Sequence, residues 1–192
     1  WGGCDPNEPK NRRLRASALV ERIADDGQVT TVVIDTGPDF RQQMIAANVQ
    51  RLHGVVYTHS HADHLHGIDD LRSYWHVQGT LIDTYADATT FERIMDGFRY
   101  VYETPPGSAY PPILRHNEIM ADRPFAIDGD GGPISFLPLD QEHGSIRSLG
   151  FRIGPMAYCT DVSAWPEHTA DQLHDLDLLI IDALQYRRHP SH

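Results

Sequence analysis

Residues 54–64 read Gly-Val-Val-Tyr-Thr-His-Ser-His-Ala-Asp-His, an apolar run that leads directly into three histidines and an aspartate. The first four residues have the length and composition of a short buried strand. Side chains two positions apart point to the same side of an extended chain, so His59 and His61 can converge on one ion. Asp63 and His64 follow where the chain turns, within reach of a second ion. Because zinc and similar metals accept imidazole and carboxylate ligands, the segment predicts a metal site at a strand end.

The six residues from His59 to His64 match the HxHxDH signature, and on that ground the chain resembles the metallo-β-lactamase superfamily. Asp35-Thr36-Gly37 after an apolar strand, His143 in a later loop and Asp161 at another strand end narrow the resemblance. Together they resemble the phosphoribosyl 1,2-cyclic phosphate phosphodiesterases, whose structural relatives include the tRNA 3′-processing endonucleases. The resemblance covers roughly the whole chain. It implies a single domain over residues 1–192 with an α+β fold, the αββα sandwich of four layers.

The resemblance also implies a ligand set for two divalent metal ions, zinc or manganese. It assigns the first ion to His59, His61 and His143, the second ion to Asp63 and His64, and a bridging position to Asp161. A shared carboxylate reduces the repulsion between two cations about 3.5–4 Å apart. The alternative for His143 is that it is one of several scattered loop histidines, since the chain has 12.

The catalytic candidates are Asp63, which is also a predicted metal ligand, and His192 at the end of the sequence. In the related phosphodiesterases and endonucleases, a histidine near this point contacts the scissile phosphate and protonates the leaving oxygen. His192 matches that position better than His189, because a serine precedes it. A general acid is useful here since a sugar alkoxide is a poor leaving group. The alternative is a disordered tail.

Three aspartates at strand ends have alternative interpretations. Asp35 either orients a ligand imidazole through its second ring nitrogen or belongs only to a turn before Gly37. Asp161 has a helix cap near Ser163 as its alternative. Asp182 is the rival strand-end carboxylate, and we interpret it as a supporting or structural residue.

Charge and composition restrict the partners. A formal net charge of −11 argues against an extended nucleic-acid surface, which needs basic residues to neutralise phosphates. Cys4 and Cys159 form no spaced framework, which favours a reducing, cytoplasmic compartment and no structural zinc near Cys4. The chain has no apolar run of about 18 residues, so we expect no membrane association. We expect a small phosphate-ester or nucleotide-like substrate, and a homodimer remains open.

Periodicity and turn signals predict an alternation of strands and helices. Strands are predicted over residues 16–24, 29–36, 54–57, 81–85, 134–139, 151–153, 156–160 and 178–182. Helices are predicted over residues 38–48, 63–74 and 88–97, the last capped by Asp87. Residues 103–112 contain four prolines, so they form either a surface loop or a wall over the site with Tyr110 as a contact.

The ends of the sequence depart from the family pattern. The chain begins at Trp1 without a methionine, and the final histidine ligand of the second metal has no counterpart up to His192. We therefore expect the domain to be incomplete at both ends, lacking the N-terminal strand and the C-terminal elements.

The leading functional interpretation is a metal-dependent phosphodiesterase. In this interpretation a metal-bound hydroxide hydrolyses a small cyclic phosphate ester such as phosphoribosyl 1,2-cyclic phosphate. The alternatives are a nuclease of the tRNA 3′-processing type, a thioesterase or lactonase of the same superfamily, and a non-catalytic metal- or nucleotide-binding module.

Overall fold

A computed structural model of the protein describes residues 2–187 and 189–192. It contains two five-stranded sheets, in each of which the strands lie side by side in chain order. The first sheet consists of β1 (Ala18–Ile23), β2 (Val29–Ile34), β3 (Gly54–Val56), β4 (Ile82–Ala86) and β5 (Leu114–Glu118). The second consists of β6 (Phe125–Ile127), β7 (Ile134–His143), β8 (Ile146–Ile153), β9 (Met156–Cys159) and β10 (Leu178–Ile181).

The helices are short and connect or follow the strands. The α-helices are α1 (Phe40–Ala46), α2 (Ala62–Leu65), α3 (Arg72–Gln78), α4 (Ala88–Phe98) and α5 (Glu167–Asp171). Single turns of 3₁₀-helix lie at Pro9–Asn11, Ile68–Leu71 and Arg99–Val101. Asp87 caps α4 as predicted, because its carboxylate accepts a hydrogen bond from the Thr90 amide at 2.7 Å.

Three buried apolar clusters show how the sheets and helices pack on one another. Successive residues of a strand face opposite sides of the sheet, so in β2 Val33 packs outward against the helices while Val32 and Ile34 pack inward against the second sheet. A third cluster, around Leu139 and Cys159, covers the outer face of the second sheet. The layers run helix, sheet, sheet, helix, and the predicted α+β sandwich is confirmed.

The secondary structure differs from the sequence prediction in several places. Strands β5 and β6 were not predicted, because Leu-Arg-His-Asn-Glu in β5 has a single aliphatic residue and β6 has only three residues. The continuous helix predicted over residues 63–74 is wrong. The helix is interrupted at Gly67, whose amide donates to the Thr36 carbonyl at 2.7 Å. A Cβ at this position would collide with the Gly37 carbonyl, so only glycine fits here.

Strand direction brings the predicted site residues to one edge. β2 and β3 are parallel, so Asp35 and the histidine segment follow neighbouring strand ends. In the second sheet β7 and β9 both run antiparallel to β8, so their carboxyl ends also lie at a common edge. The Leu149 amide donates to the Thr58 carbonyl at 2.9 Å, which ties the two edges together.

Across residues 2–187 and 189–192, we find no helix with the length and apolar character needed to span a bilayer.

Candidate metal centre

Four of the predicted ligands form one group at the shared edge of the sheets. His59, His61, His143 and Asp161 each offer a ligand atom, and these atoms all lie within 4.8 Å of one another. The His61 Nδ1 and His143 Nε2 atoms are 3.3 Å apart although 82 residues separate them in the sequence. The three histidines predicted for the first ion therefore converge.

Asp161 is close to ligands predicted for both ions. Its Oδ2 atom is 3.6 Å from His59 Nε2, 3.5 Å from His143 Nε2 and 3.4 Å from His64 Nε2. The Asp63 carboxylate is 3.7 Å from the same His64 nitrogen, and its side chain is 59% exposed. This placement suits a bridging carboxylate, although bridging itself stays a prediction.

The Asp35 carboxylate contacts both ends of the segment that carries the motif histidines. This fully buried carboxylate accepts the Thr58 amide at 2.8 Å and the Thr58 hydroxyl at 2.7 Å, and it lies 2.7 Å from His64 Nδ1. The backbone at Asp35 has a φ of 64°, in the left-handed region that residues other than glycine rarely occupy. The predicted contact with an imidazole is therefore present, and the interpretation of Asp35 as a turn residue alone is wrong.

The partners of each ring fix its protons. Thr58 gives its one hydroxyl proton to Asp35, so its oxygen accepts from His59 Nδ1, 3.0 Å away. The His64 Nδ1 donates to Asp35, and His143 Nδ1 donates to the Ser191 carbonyl at 2.6 Å. We therefore assign an Nδ1 proton to all three rings. Their Nε2 atoms lie 3.4 to 3.6 Å from Asp161 Oδ2.

The donor set fits a divalent cation. The His59 Nε2 atom is buried and has no hydrogen-bond partner in the part of the chain that the structure describes. Burial, with neighbouring histidines, lowers the pKa of His59 to about 2, so the ring is neutral and its lone pair is free. An unpaired buried acceptor beside two more imidazoles and a carboxylate matches the ligand chemistry of zinc and manganese.

His64 and Asp161 stabilise each other's charged forms. Burial opposes the charged form of His64, but hydrogen bonds to Asp161 and Asp35 outweigh it and raise its pKa to about 10. Burial also opposes ionisation of Asp161, yet the contact with His64 holds its pKa below the usual range. A ligand imidazole must be neutral, so a cation bound here takes the place of the His64 proton.

His143 lies at the end of a strand rather than in the predicted loop. It is the last residue of β7 and pairs with Ile146 across the turn into β8. Gly144 makes this turn with a φ of 60°, and a Cβ at that position would lie 2.9 Å from the Ser191 side chain. The sheet therefore fixes His143, and the close packing of Ser191 gives it a carbonyl partner.

The C-terminal residues pack against the centre. The His192 ring lies 4.8 Å from the His143 ring, and its Nδ1 atom is 2.6 Å from Asp182 Oδ2. His189 instead contacts Ser191, with its Nδ1 atom 3.1 Å from the serine hydroxyl. The described C-terminal residues therefore lie beside the candidate ligands, and this placement favours His192 over His189 for the predicted acid.

The proline-rich loop lines a separate surface cleft. Tyr110 faces a cavity of about 460 Å³ together with Trp75 and Tyr100, and none of the candidate metal ligands lines this cavity. The alternative of a wall over the metal centre is therefore unsupported for Tyr110.

Replacing Thr58 with valine is expected to weaken metal affinity by about 10–100-fold, the usual effect of losing a hydrogen bond that orients ligands. The substitution removes the hydroxyl that connects Asp35 to His59 while keeping the volume of the side chain. Isothermal titration with Mn²⁺ and Zn²⁺ measures the change. Thr84→Val is the matched control, since Thr84 is equally buried and bonds to Tyr102, away from the centre. Equal affinities in the two variants would contradict the orienting role.

Comparisons with known proteins show the family and the fold of the chain. The family model described as the beta-lactamase superfamily domain matches residues 30–192. A solved structure of a new diphosphatase from the PhnP family has 33% sequence identity and a TM-score of 0.80, covering 99% of this chain and 70% of that one. Zn²⁺-bound PqqB from Methylobacterium extorquens has 17% identity and a TM-score of 0.62, covering 88% of this chain and 60% of that one, and supports the fold alone.

One curated relative carries a different name. An octanoyltransferase of Porphyromonas gingivalis is 36% identical over 193 residues, which is 98% of this chain. The chain spans only 36% of that protein's length.

Proposed function

Because the chain belongs to the metallo-β-lactamase superfamily and to its PhnP branch, we propose that it is a metal-dependent hydrolase of phosphate esters. We place a small cyclic phosphodiester, such as phosphoribosyl 1,2-cyclic phosphate, as its substrate class. The observation that carries the proposal is the hydrogen-bonded pair of His192 and Asp182, directly beside the candidate metal ligands. Such a pair provides a proton donor where a phosphate ester would release its alcohol.

When bound, metal ions would lower the pKa of water and neutralise charge on the phosphoryl oxygens. Residues from both sheets would hold them. His59, His61 and His143 would supply nitrogen donors, and Asp161 would supply a carboxylate. Asp35 and Thr58 keep the rings oriented, so the site does not have to reorganise during the reaction.

His192 has the geometry of a general acid. Hydrolysis joins a water oxygen to phosphorus and breaks the bond from phosphorus to the leaving oxygen, which needs a proton to depart as an alcohol. Asp182 accepts the Nδ1 proton of His192, so the Nε2 atom is the one that can give a proton to the leaving oxygen. The proton lost by water passes to solvent and restores the balance.

A substrate panel tests the proposal. Protein loaded with Mn²⁺ or Zn²⁺ is incubated with bis-p-nitrophenyl phosphate, a ribose 1,2-cyclic phosphate, precursor tRNA, an octanoyl thioester and a homoserine lactone. We expect turnover of the two small phosphodiesters and at least about 100-fold lower kcat/KM on the acyl substrates, which have no phosphoryl oxygens for a metal ion to neutralise. The thioester also tests the chemistry named for the P. gingivalis relative.

The other outcomes separate the alternatives. Preferential cleavage of precursor tRNA would favour the nuclease. Preferential hydrolysis of the thioester or lactone would favour an acyl hydrolase. Metal binding without turnover of any substrate would favour a binding module.

A further inference from the structure

A buried pair of polar side chains lies behind the candidate ligand Asp161. Gln141 of β7 and Ser148 of β8 are directly opposite each other in the second sheet, and both are almost fully buried. Neither is one of the candidate metal ligands. Burying polar groups is costly unless their hydrogen bonds are made, so the partners of this pair show what it supports.

The hydrogen bonds of the pair lead to the Asp161 backbone. The Ser148 hydroxyl donates to the Asp161 carbonyl at 2.9 Å, so its oxygen accepts from the side-chain amide of Gln141, 3.2 Å away. The same Gln141 nitrogen donates to the Thr160 carbonyl at 3.1 Å, and the Gln141 oxygen accepts from the Trp165 indole at 3.4 Å. These partners assign the orientation of the Gln141 amide and the direction of the Ser148 hydroxyl.

Asp161 has a backbone conformation that needs such support. Its φ is 53°, in the left-handed region that residues other than glycine rarely occupy. Conformations of this kind persist only where surrounding contacts hold them. Ser148 holds the Asp161 carbonyl, and the amide of the next residue, Val162, donates to Asp182 at 3.3 Å. The peptide group after Asp161 is therefore fixed at both its oxygen and its nitrogen.

Thr160 contacts the carboxylate of the same residue. Its hydroxyl donates to Asp161 Oδ1 at 3.1 Å. The other oxygen, Oδ2, lies 3.4 to 3.6 Å from the Nε2 atoms of three candidate ligands, His59, His64 and His143. The two carboxylate oxygens thus have separate neighbours, which restricts rotation of the group.

The residue after Ser148 contacts the other half of the centre. The Leu149 amide donates to the Thr58 carbonyl at 2.9 Å, and the Thr58 hydroxyl lies 3.0 Å from His59 Nδ1. Two successive residues of β8 therefore contact the turns that carry Asp161 and His59. The spacing between these two candidate ligands depends on β8.

We propose that Ser148 and Thr160 are positioning residues, which hold Asp161 in the geometry in which it binds a metal ion. This inference rests on the proposed function and adds residues that act through Asp161 without touching an ion or the substrate. A ligand that is already held in place reorganises less on binding, and loss of such support usually weakens metal affinity by about 10–100-fold.

Two substitutions test the inference through metal binding. Ser148→Ala removes the hydroxyl from the Asp161 carbonyl, and Thr160→Val removes the hydroxyl from its carboxylate while keeping the volume of the side chain. We expect each to weaken Mn²⁺ binding by about tenfold in calorimetric titration. Each should also change the visible absorption of the Co²⁺-loaded protein, because these bands report the geometry of the ligands around the ion.

Thr30→Val is the matched control. The buried Thr30 hydroxyl donates to the Gly132 carbonyl at 2.7 Å and accepts from the Gly131 amide at 3.0 Å, at the opposite end of β2 from Asp35. Like Ser148→Ala, this substitution removes a donated and an accepted hydrogen bond. We expect all three variants to lower the melting temperature of the metal-free protein, and Thr30→Val to keep the wild-type Mn²⁺ affinity and Co²⁺ spectrum.

Metal binding separates this inference from the proposed function, because it is measured without turnover. Weaker binding in Ser148→Ala and Thr160→Val, with wild-type binding in Thr30→Val, supports the inference whether or not a phosphate ester is hydrolysed. If Ser148→Ala does not fold, the result for Thr160→Val decides. Wild-type affinity in a folded variant of either residue, an equal loss in Thr30→Val, or no binding of Mn²⁺ to the wild type overturns it.

Discussion

Replacing His61 with alanine is expected to abolish hydrolysis of bis-p-nitrophenyl phosphate, with a loss of at least about 10³-fold, the upper range for removing one group that stabilises the transition state. His61 is exposed, and its ring contacts the cluster only through the rings of His59 and His143. The fold has little dependence on this side chain, so the loss reports on the metal centre.

The control for this substitution is His66→Ala. His66 is also an exposed histidine in the next turn of the chain, but its ring packs on Phe98, 5.5 Å away, and it belongs to no ligand group. We expect His66→Ala to retain wild-type turnover. Full activity of His61→Ala after loading with metal would contradict the assignment of His61 as a ligand.

Replacing His192 with alanine is expected to lower kcat by a factor that depends on the leaving group of the substrate. With a ribose cyclic phosphate, whose leaving oxygen is an alkoxide, the loss should be about 10²–10⁴-fold, the usual contribution of a general acid. With bis-p-nitrophenyl phosphate the loss should be much smaller, because p-nitrophenolate departs without a proton. Asp182→Asn should change kcat in the same direction by a smaller factor, since it leaves the ring in place but replaces the charged carboxylate beside Nδ1 with a neutral amide.

His189→Ala provides the control for the C-terminal pair. His189 lies on the same short segment and contacts Ser191, so it shares any general effect on packing. We expect the ratio of its kcat values on the two substrates to equal the wild-type ratio. An equal loss on both substrates in His192→Ala would assign His192 a role in substrate binding or packing and would contradict proton donation.

The sequence predicted those parts of the fold whose local pattern is strong. β2 reads Val-Thr-Thr-Val-Val-Ile and is buried almost throughout, and α4 has an aspartate cap, so both agree with the prediction. β5 has no such pattern, because an edge strand with polar residues depends on pairing with β4 for its conformation. The interruption of the helix at Gly67 could not be predicted either, because it depends on the close approach of Gly37, which lies in another segment of the chain.

The candidate site shows the same division. The contiguous histidine motif predicted its own convergence, and the position of Asp35 at a strand end predicted its contact with an imidazole. Thr58 was missed, although a hydroxyl residue directly before the first motif histidine was a usable signal. The partner of His143 is the backbone carbonyl of Ser191, which no side-chain pattern can reveal.

Crystals soaked in Mn²⁺ and examined by anomalous scattering test most directly whether the two sheets together hold metal ions. We expect one peak among His59, His61, His143 and Asp161, and a second peak beside His64 on the other side of the Asp161 carboxylate. Imidazoles in their present positions with no anomalous density between them would contradict the metal centre and the hydrolase built on it.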